Sequence, residues 1–391
     1  MKNVKKIDIL LVARPDHSLN IYHALNKDTN LTFKYIVFKV FPKWVKKIIR
    51  LKKMVTLGKN VIICYKLSVI NICKYYLHLK FAQKWNETTV LDKRAGKFLS
   101  KTNVKIIHYW PEFGNSEILK YQEKHPNVFT IADIHMPYPL IVFQEMIPVY
   151  EKYGIDPYKT ELYTLSKEHK DLLNGENTIL VPSKYVEDTY RRVYPNIRCY
   201  TLSYGITRSK YYTKKNGPVK NFVYAGRISL EKGSDLLLEY FANHPDVNLH
   251  IYGSIVNEQK HLFQKYTDLK NIIFHGHVPK VELQKELSQY DVGIHLSRFD
   301  AYSLAVGEMI GVGLPVIVSD KTGSKDDVEK YSWGIVTSLN YDDIEKNIKQ
   351  LSEINNYEKY VSSIYNYINN EYLNYGDRTV AFYKDIIKHE E

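Results

Sequence analysis

The chain has 391 residues, of which 44% are hydrophobic and 25% charged, and it carries a net charge of +12. That length exceeds a single core and points to two domains, and the ordinary apolar fraction excludes a disordered or fibrous chain. Cys64, Cys73 and Cys199 have no metal-like spacing and cannot all pair, which excludes a disulfide scaffold and suits a reducing, cytoplasmic setting.

The opening run IDILLVA is too short, and interrupted by Asp8, for a signal peptide or a membrane span. It reads as a first buried strand at 7–13, with a second at 32–40. Residues 41–55 then form a basic amphipathic helix. Phe41, Trp44, Val45, Ile48 and Ile49 fall on one face, and Lys43, Lys46, Lys47, Arg50 and Lys53 lie mainly elsewhere, with Pro42 at a first helical position. Such a helix can lie in a membrane interface, where each basic residue near an anionic surface is worth about 1 kcal/mol. It can equally pack its apolar face on its own core, with the lysines solvated. The stretch 61–73 is broken as a span by Lys66 and Asn71.

Further strands are expected at 104–109, 128–134, 178–181 and 199–202. The polar segment TRSKYYTKKNGPVK (207–220) reads as an interdomain linker. Strands resume at 221–224, 249–252, 272–274, 292–296 and 315–319, and the tail from 371 is a further helix. Helical patterns between short apolar runs predict α/β architecture, with parallel sheets and crossover helices. The expected organisation is a first domain at 1–206, the linker at 207–220, a second domain at 221–370 and a terminal helix at 371–391. Charge divides unevenly: residues 1–106 hold 23 Lys and Arg against 5 Asp and Glu, and the remainder is net negative. The basic first part suggests an anionic partner: phospholipid headgroups, a polyphosphate-bearing acceptor or nucleic acid. No recognised nucleic-acid motif accompanies it. The 34 tyrosines are numerous without an evident reason.

Two segments of the second half carry chemistry. In VYAGRISLEKGSDLL (223–237) an apolar strand ends at Gly226, Arg227 and Lys232 lie on the following loop, and a helix opens after Gly233. Arg as a fork and Lys as a point charge can clamp a diphosphate and stabilise a departing phosphate. Two ordinary surface cations would look the same. In SRFDAYSLAVGEMIGVGLPVIVSD (297–320), Asp300 and Glu308 bracket a turn into a helix starting near Ser303. Backbone amides of Tyr302, Ser303 and Leu304 at a helix start suit an anion. Glu308 could accept from ribose hydroxyls and Asp300 from sugar hydroxyls. The strand that follows lies where α/β sheets bind ligands.

The loop GRISLEKG, the D-x7-E turn and the strand GVGLPVIVSD together resemble glycosyltransferase family 4, and VPSKYVEDTY (181–190) and LSYGI (202–206) extend the resemblance upstream. The resemblance implies a GT-B fold, with two Rossmann-like domains facing across a cleft and a terminal helix crossing back to the first. It implies a metal-independent, retaining hexosyltransferase without cofactor, using a nucleoside-diphosphate sugar, with UDP the expected nucleotide. By it, Gly226, Arg227 and Lys232 bind the diphosphate, Glu308 the ribose, and Asp300 sits at the donor sugar. The family usually has Glu at the position of Asp300, and a glycine pair where this chain has ARPDHS (13–18). The segment FHGHVPKVEL (274–283) resembles the loop that reads the nucleobase. Past the strand ending in ADIHMPYP, His135, with Asp133 beside it, is the candidate contact to sugar or leaving phosphate. His108, Trp110 and Glu112 line an acceptor pocket or pack in the core. No D-x-D spacing occurs, and the cysteines and histidines form no zinc signature. The basic first half favours as acceptor a lipid-linked or other saccharide of surface polysaccharide, lipopolysaccharide or glycolipid assembly, with the enzyme cytoplasmic and peripherally bound to the membrane's inner face. Rival readings are a sugar-nucleotide epimerase, a phosphorylase, or a non-catalytic sugar-nucleotide scaffold.

Overall fold

The structure is a computed structural model. It describes residues 5–13, 18–37, 60–64, 87–113, 116–168, 173, 178–206, 208–370 and 374–390. The basic amphipathic helix expected at 41–55 lies outside the described residues, as do 65–73 of the broken apolar stretch.

Thirteen described strands form two sheets. The first runs β1 (Lys5–Ala13), β2 (Phe33–Val37), β3 (Val61–Ile63), β4 (Thr102–Tyr109), β5 (Phe129–Asp133), β6 (Thr178–Val181) and β7 (Arg198–Thr201) in chain order. Their spatial order is β3-β2-β1-β4-β5-β6-β7. The second contains β8 (Asn221–Ala225), β9 (Asn248–Tyr252), β10 (Ile272–Gly276), β11 (Val292–His295), β12 (Val316–Ser319) and β13 (Gly334–Thr337). Their spatial order is β10-β9-β8-β11-β12-β13. The described strand pairings are all parallel.

Apolar runs produce this pattern because both faces of each sheet are covered. Along β1, Leu10 and Val12 enter one core while Ile9, Leu11 and Ala13 enter the opposite one. Along β8, Phe222 and Tyr224 face one core, Val223 and Ala225 the other. Two strands were not anticipated. β3 is three half-buried residues at the sheet edge, and β13 (GIVT) is four residues opened by a glycine. Both are too short for a period to show.

Two elements tie the domains together. The helix Ile354–Asn370 packs on the second sheet through Ile364, Tyr367 and Ile368. The chain then crosses back, and the helix Tyr375–Glu390 buries Tyr375, Val380, Tyr383 and Ile386 in the first domain's core. It lies so close to the helix Ser18–Lys27 that a Cβ at Gly376 would stand 2.1 Å from the Asn20 carbonyl oxygen. In the other direction, the helix Pro139–Lys152, started by proline at its first turn, follows the first sheet in the chain but packs on the second. Its Val142, Phe143, Met146 and Tyr150 join the second domain's core, as does Leu162 of the helix Glu161–Glu168. The segment 208–220 runs along the second domain, with amide bonds from Ser209 to Gly311 (3.1 Å) and from Thr213 to Val312 (3.2 Å).

Candidate active site in the interdomain cleft

In the second sheet, β8 and β11 are neighbours from which the chain continues in opposite directions, and such a switch point leaves a crevice at the strands' C-terminal ends. Both sequence motifs emerge there. The β8 loop is shaped by its own backbone. The Tyr224 hydroxyl donates to the Arg227 carbonyl at 2.6 Å, and the Leu230 amide to Gln259 Oε1 at 2.7 Å. Gly233 has φ 66°, and a Cβ there would lie 1.8 Å from the Leu296 carbonyl oxygen. Only glycine permits so close a seam between the two loops. Arg298, from the β11 side, seals it with a two-pronged ion pair to Asp235 at 2.6 and 2.7 Å.

This seam sets the cations differently. The Arg227 side chain is 67% exposed and reaches Glu161 of the opposite domain only at 4.0 Å. Lys232 is mostly enclosed and its Nζ donates to Asp300 Oδ2 at 2.7 Å. The same oxygen accepts from His295 Nε2 at 3.2 Å. The other oxygen, Oδ1, accepts from the Ser303 amide at 2.7 Å and the Tyr302 amide at 3.2 Å. Burial opposes ionisation of Asp300, but Lys232 and His295 outweigh it and hold the carboxyl well below its usual range. Two of the three amides expected for an anion thus already serve Asp300. Leu304 opens the helix Leu304–Gly311 beyond them.

A cavity of about 400 Å³ opens beside the β8 loop, lined by Gly226, Arg227, Tyr252, Val278, Leu283 and Glu308 among others, while Lys232 and Asp300 are not among its lining residues. Glu308 is nearly buried and pairs with Lys280 Nζ at 2.6 Å. Lys280 also lines the cavity, with His277, so four residues of the expected base-reading segment face it. A second cavity of about 550 Å³ sits between the domains, walled by Ile155, Glu161 and Leu165 on one side and Arg227, Glu231 and Phe299 on the other. Arg227 borders both.

Across the cleft, His135 follows β5. Its Nδ1 lies 3.2 Å from the Tyr204 hydroxyl and 3.7 Å from Asp133 Oδ1, and its ring tilts against Trp110 at 5.2 Å. Tyr204 in turn meets Tyr302 of the second motif edge-on at 5.6 Å. His108 and Trp110 belong to the core rather than to an open pocket. His108 is fully buried and Trp110 is 5% exposed. The reason is the crossing helix: Tyr383 covers His108 and its hydroxyl lies 2.5 Å from Nδ1, while Asp133 Oδ2 lies 3.0 Å from Nε2 and accepts from Tyr375 at 3.3 Å. Glu112 is half-buried. Sequence reasoning missed His295, Tyr375 and Tyr383, and it quoted the segments that hold Lys280 and Tyr204 without singling out either residue. His295 is a polar residue inside the apolar run VGIHL. Among the described residues, no group of three or more His, Cys, Asp or Glu is placed to hold a metal.

Residues 207–367 match the family described as glycosyl transferases group 1. The chain is 26% identical over 160 residues to the putative colanic acid biosynthesis glycosyl transferase WcaC of Escherichia coli (strain K12), covering 38% of this chain and 37% of that one. The matched stretches span about a third of the length of the curated relatives. In three dimensions the chain resembles a glycosyltransferase from Rickettsia africae ESF-5 with a TM-score of 0.60, at 16% identity, over 99% of each chain. It also resembles Anabaena Alr3699/HepE, determined in complex with UDP and glucose, with a TM-score of 0.61 at 11% identity, over 98% of this chain and 100% of that one. The fold is GT-B. The cleft described above is the cleft between the two GT-B domains.

Proposed function

We propose that the chain is a retaining glycosyltransferase. It would move a sugar from a nucleoside-diphosphate donor, with UDP the expected nucleotide, to a hydroxyl of a lipid-linked or other saccharide acceptor in surface polysaccharide or lipopolysaccharide assembly. The observation that carries this reading is the 400 Å³ cavity, which has Arg227, Glu308 and the apolar side chains of Val278 and Leu283 on one concave surface. A cation for phosphate, a carboxylate for ribose and an apolar wall for a base are the three chemistries of a nucleotide. The match of residues 207–367 to the glycosyl transferases group 1 family supports it, as does the naming of WcaC for colanic acid biosynthesis.

In this proposal Arg227 and Lys232 hold the diphosphate and take up the charge that grows on it. The acceptor oxygen attacks the anomeric carbon on the face the phosphate leaves, the carbon–phosphate-oxygen bond breaks, and the acceptor's proton passes to the departing phosphate. His135 contacts the donor sugar or that phosphate from the first domain. Closure of the cleft excludes water, which would otherwise compete as acceptor. The chemistry needs no metal, because the two cations supply the neutralising charge. The excess of basic residues in 1–106 supports attachment to an anionic membrane face, with binding to anionic vesicles that weakens in salt. Among the described residues no helix is long and apolar enough to cross a membrane.

The test is donor hydrolysis and thermal shift across a panel of nucleotide-sugars without added metal, for wild type and Glu308→Ala. A true donor at a hundredfold excess over its dissociation constant stabilises the fold by about 2.7 kcal/mol. One donor should be hydrolysed and raise the melting temperature of wild type but not of Glu308→Ala. Equal responses from both proteins, or none from either, contradict the assignment.

A further inference from the structure

We propose that Lys280 stands in for the ribose 2′-hydroxyl on Glu308, so that the cavity takes 2′-deoxyribonucleoside diphosphates as well as ribonucleoside diphosphates. The proposal rests on the nucleotide-sugar reading and deepens it, since it names which donor nucleotides the site admits.

Glu308 lies in the helix that follows β11, and Lys280 opens the helix Lys280–Leu287 that follows β10. Between those two strands in the sheet lie β9 and β8, whose C-terminal ends line the cavity with Tyr252, Gly253, Ala225 and Gly226. The ion pair of Lys280 Nζ with Glu308 Oε1, at 2.6 Å, therefore spans the cavity. Pro279, at the N-cap with φ −59°, fixes the backbone from which the lysine reaches. The two partners are unlike. The Glu308 side chain is 11% exposed and the Lys280 side chain 66%. A carboxylate so enclosed needs donors or a counter-charge. A lysine so exposed adds little to the fold through such a contact. The pair serves the cavity rather than stability.

A carboxylate that meets a ribose accepts from the 2′ and 3′ hydroxyls together, one on each oxygen. Here one oxygen is already engaged, and among the described residues Lys280 is the ionic partner of Glu308. A ribose that offers both hydroxyls displaces the ammonium. A 2′-deoxyribose offers one, which takes the second oxygen, and the ammonium stays. A site made to bond a hydroxyl ordinarily rejects the analogue that lacks it, because an enclosed acceptor is left unpaired. Lys280 removes that penalty. Lysine suits this role better than arginine. Its ammonium is compact, its stem is flexible and its donors rotate, so it leaves and returns without disturbing the backbone.

The experiment is calorimetric titration with UDP, GDP and their 2′-deoxy forms, so that the answer does not depend on the base. The quantity read is the ratio of the deoxy to the ribo dissociation constant. The attraction of Lys280 for the diphosphate acts on both nucleotides alike and cancels in that ratio. Lys280→Met keeps the apolar stem and removes the charge, and Lys280→Arg restores a cation. Both should fold, because the side chain is exposed. One lost hydrogen bond to a charged group corresponds to about a tenfold change in affinity. The ratio should stay below about tenfold in wild type, rise by about tenfold in Lys280→Met and return most of the way in Lys280→Arg. In a Glu308→Gln background Lys280→Met should leave the ratio unchanged, because the carboxylate on which the lysine acts is gone. A wild type that already rejects the deoxy forms by more than tenfold or so overturns the proposal. So does a ratio that is the same in Lys280→Met and wild type, and in both cases tight binding of the ribo form leaves the nucleotide-sugar reading standing. Wild type that binds none of the four nucleotides overturns that reading, and the proposal with it.

Discussion

The two faces of the cleft are built in opposite ways. On the second domain, Gly226, Arg227, Lys232, Asp300 and Glu308 come from two short segments that follow neighbouring strands, Glu308 from the helix Leu304–Gly311 and the rest from loops, and each segment is a continuous motif. On the first domain, His135 stands at the edge of a polar network whose members are far apart in sequence. His108 meets Tyr383 across 275 positions and Asp133 meets Tyr375 across 242. A site made from two local loops can be read from the chain and altered one residue at a time. A site held by a distant helix depends on the whole fold, and its residues look ordinary until the fold brings them together.

The sharpest way to break this contrast is to remove the distant helix. Burying a large apolar side chain stabilises by about 1.5–3 kcal/mol, and residues 375–390 bury Tyr375, Val380, Tyr383 and Ile386. Four such groups approach the 5–15 kcal/mol or so that a domain has in total. Deleting 371–391 should therefore yield aggregated protein, measured as loss of the monomer peak in size-exclusion chromatography. A folded, active truncation would show that the first face is as local as the second.

Next come the local cations. Lys232→Ala and Arg227→Ala should each lower kcat for sugar transfer by about 10²-fold or more, the scale for losing one preorganised group at a developing charge. Circular dichroism should stay unchanged, because Arg227 is exposed and the Lys232 loop is held by other bonds. A loss confined to KM would place them in ground-state binding alone.

A smaller effect tests the network without removing the helix. Tyr383→Phe deletes the hydroxyl at His108 and leaves a buried ring nitrogen unsatisfied, at about 1–3 kcal/mol of stability. Chemical denaturation should show that loss, and activity should fall by up to about tenfold if the network orients His135 through Asp133. Unchanged stability would mean that His108 finds another partner.

The smallest expected effect is in pH. Burial lowers the pKa of His295, and burial with the neighbouring His275 lowers that of His250. The folded chain then binds fewer protons than the unfolded chain below the usual histidine value of about 6.5. Stability should fall as pH drops through that value. Asp300 does not contribute in this window. Its depressed pKa stabilises above the usual carboxylate range, and that share is lost only as pH falls below it. The melting temperature should be lower at pH 5.5 than at pH 7.5, and the gap should narrow in His295→Gln. An equal gap would assign the pH response to other groups.

What was legible follows the same division. β1, β8 and β12 announced themselves as apolar runs because parallel strands covered on both faces admit little else. β3 and β13 did not, since an edge strand of three or four residues has no period to show. The placing of the Arg227–Lys232 loop and the Asp300–Glu308 turn at one end of the second sheet was legible, because glycines and a helix start mark both segments locally. The hydrogen bonds that engage Asp300 were not. The packing of Pro139–Lys152 against the second core was hidden as well, because an amphipathic helix carries no record of which sheet it will cover. The numerous tyrosines now have a partial reason. Tyr150 donates to Glu231 at 2.6 Å and Tyr153 to Asp235 at 2.9 Å, and Tyr302 donates to Asp327 at 2.6 Å. Such residues seal an interdomain surface with their rings while their hydroxyls meet the polar groups there.

The most direct test of the central claim is a crystal structure of the chain with UDP. The account predicts the nucleotide in the cavity lined by Val278, Leu283 and Glu308, with the ribose hydroxyls on Glu308, Lys280 displaced from it, and the diphosphate against Arg227 and Lys232. UDP in the larger cavity beside Glu161 and Phe299, with the Lys280–Glu308 pair intact, would contradict it.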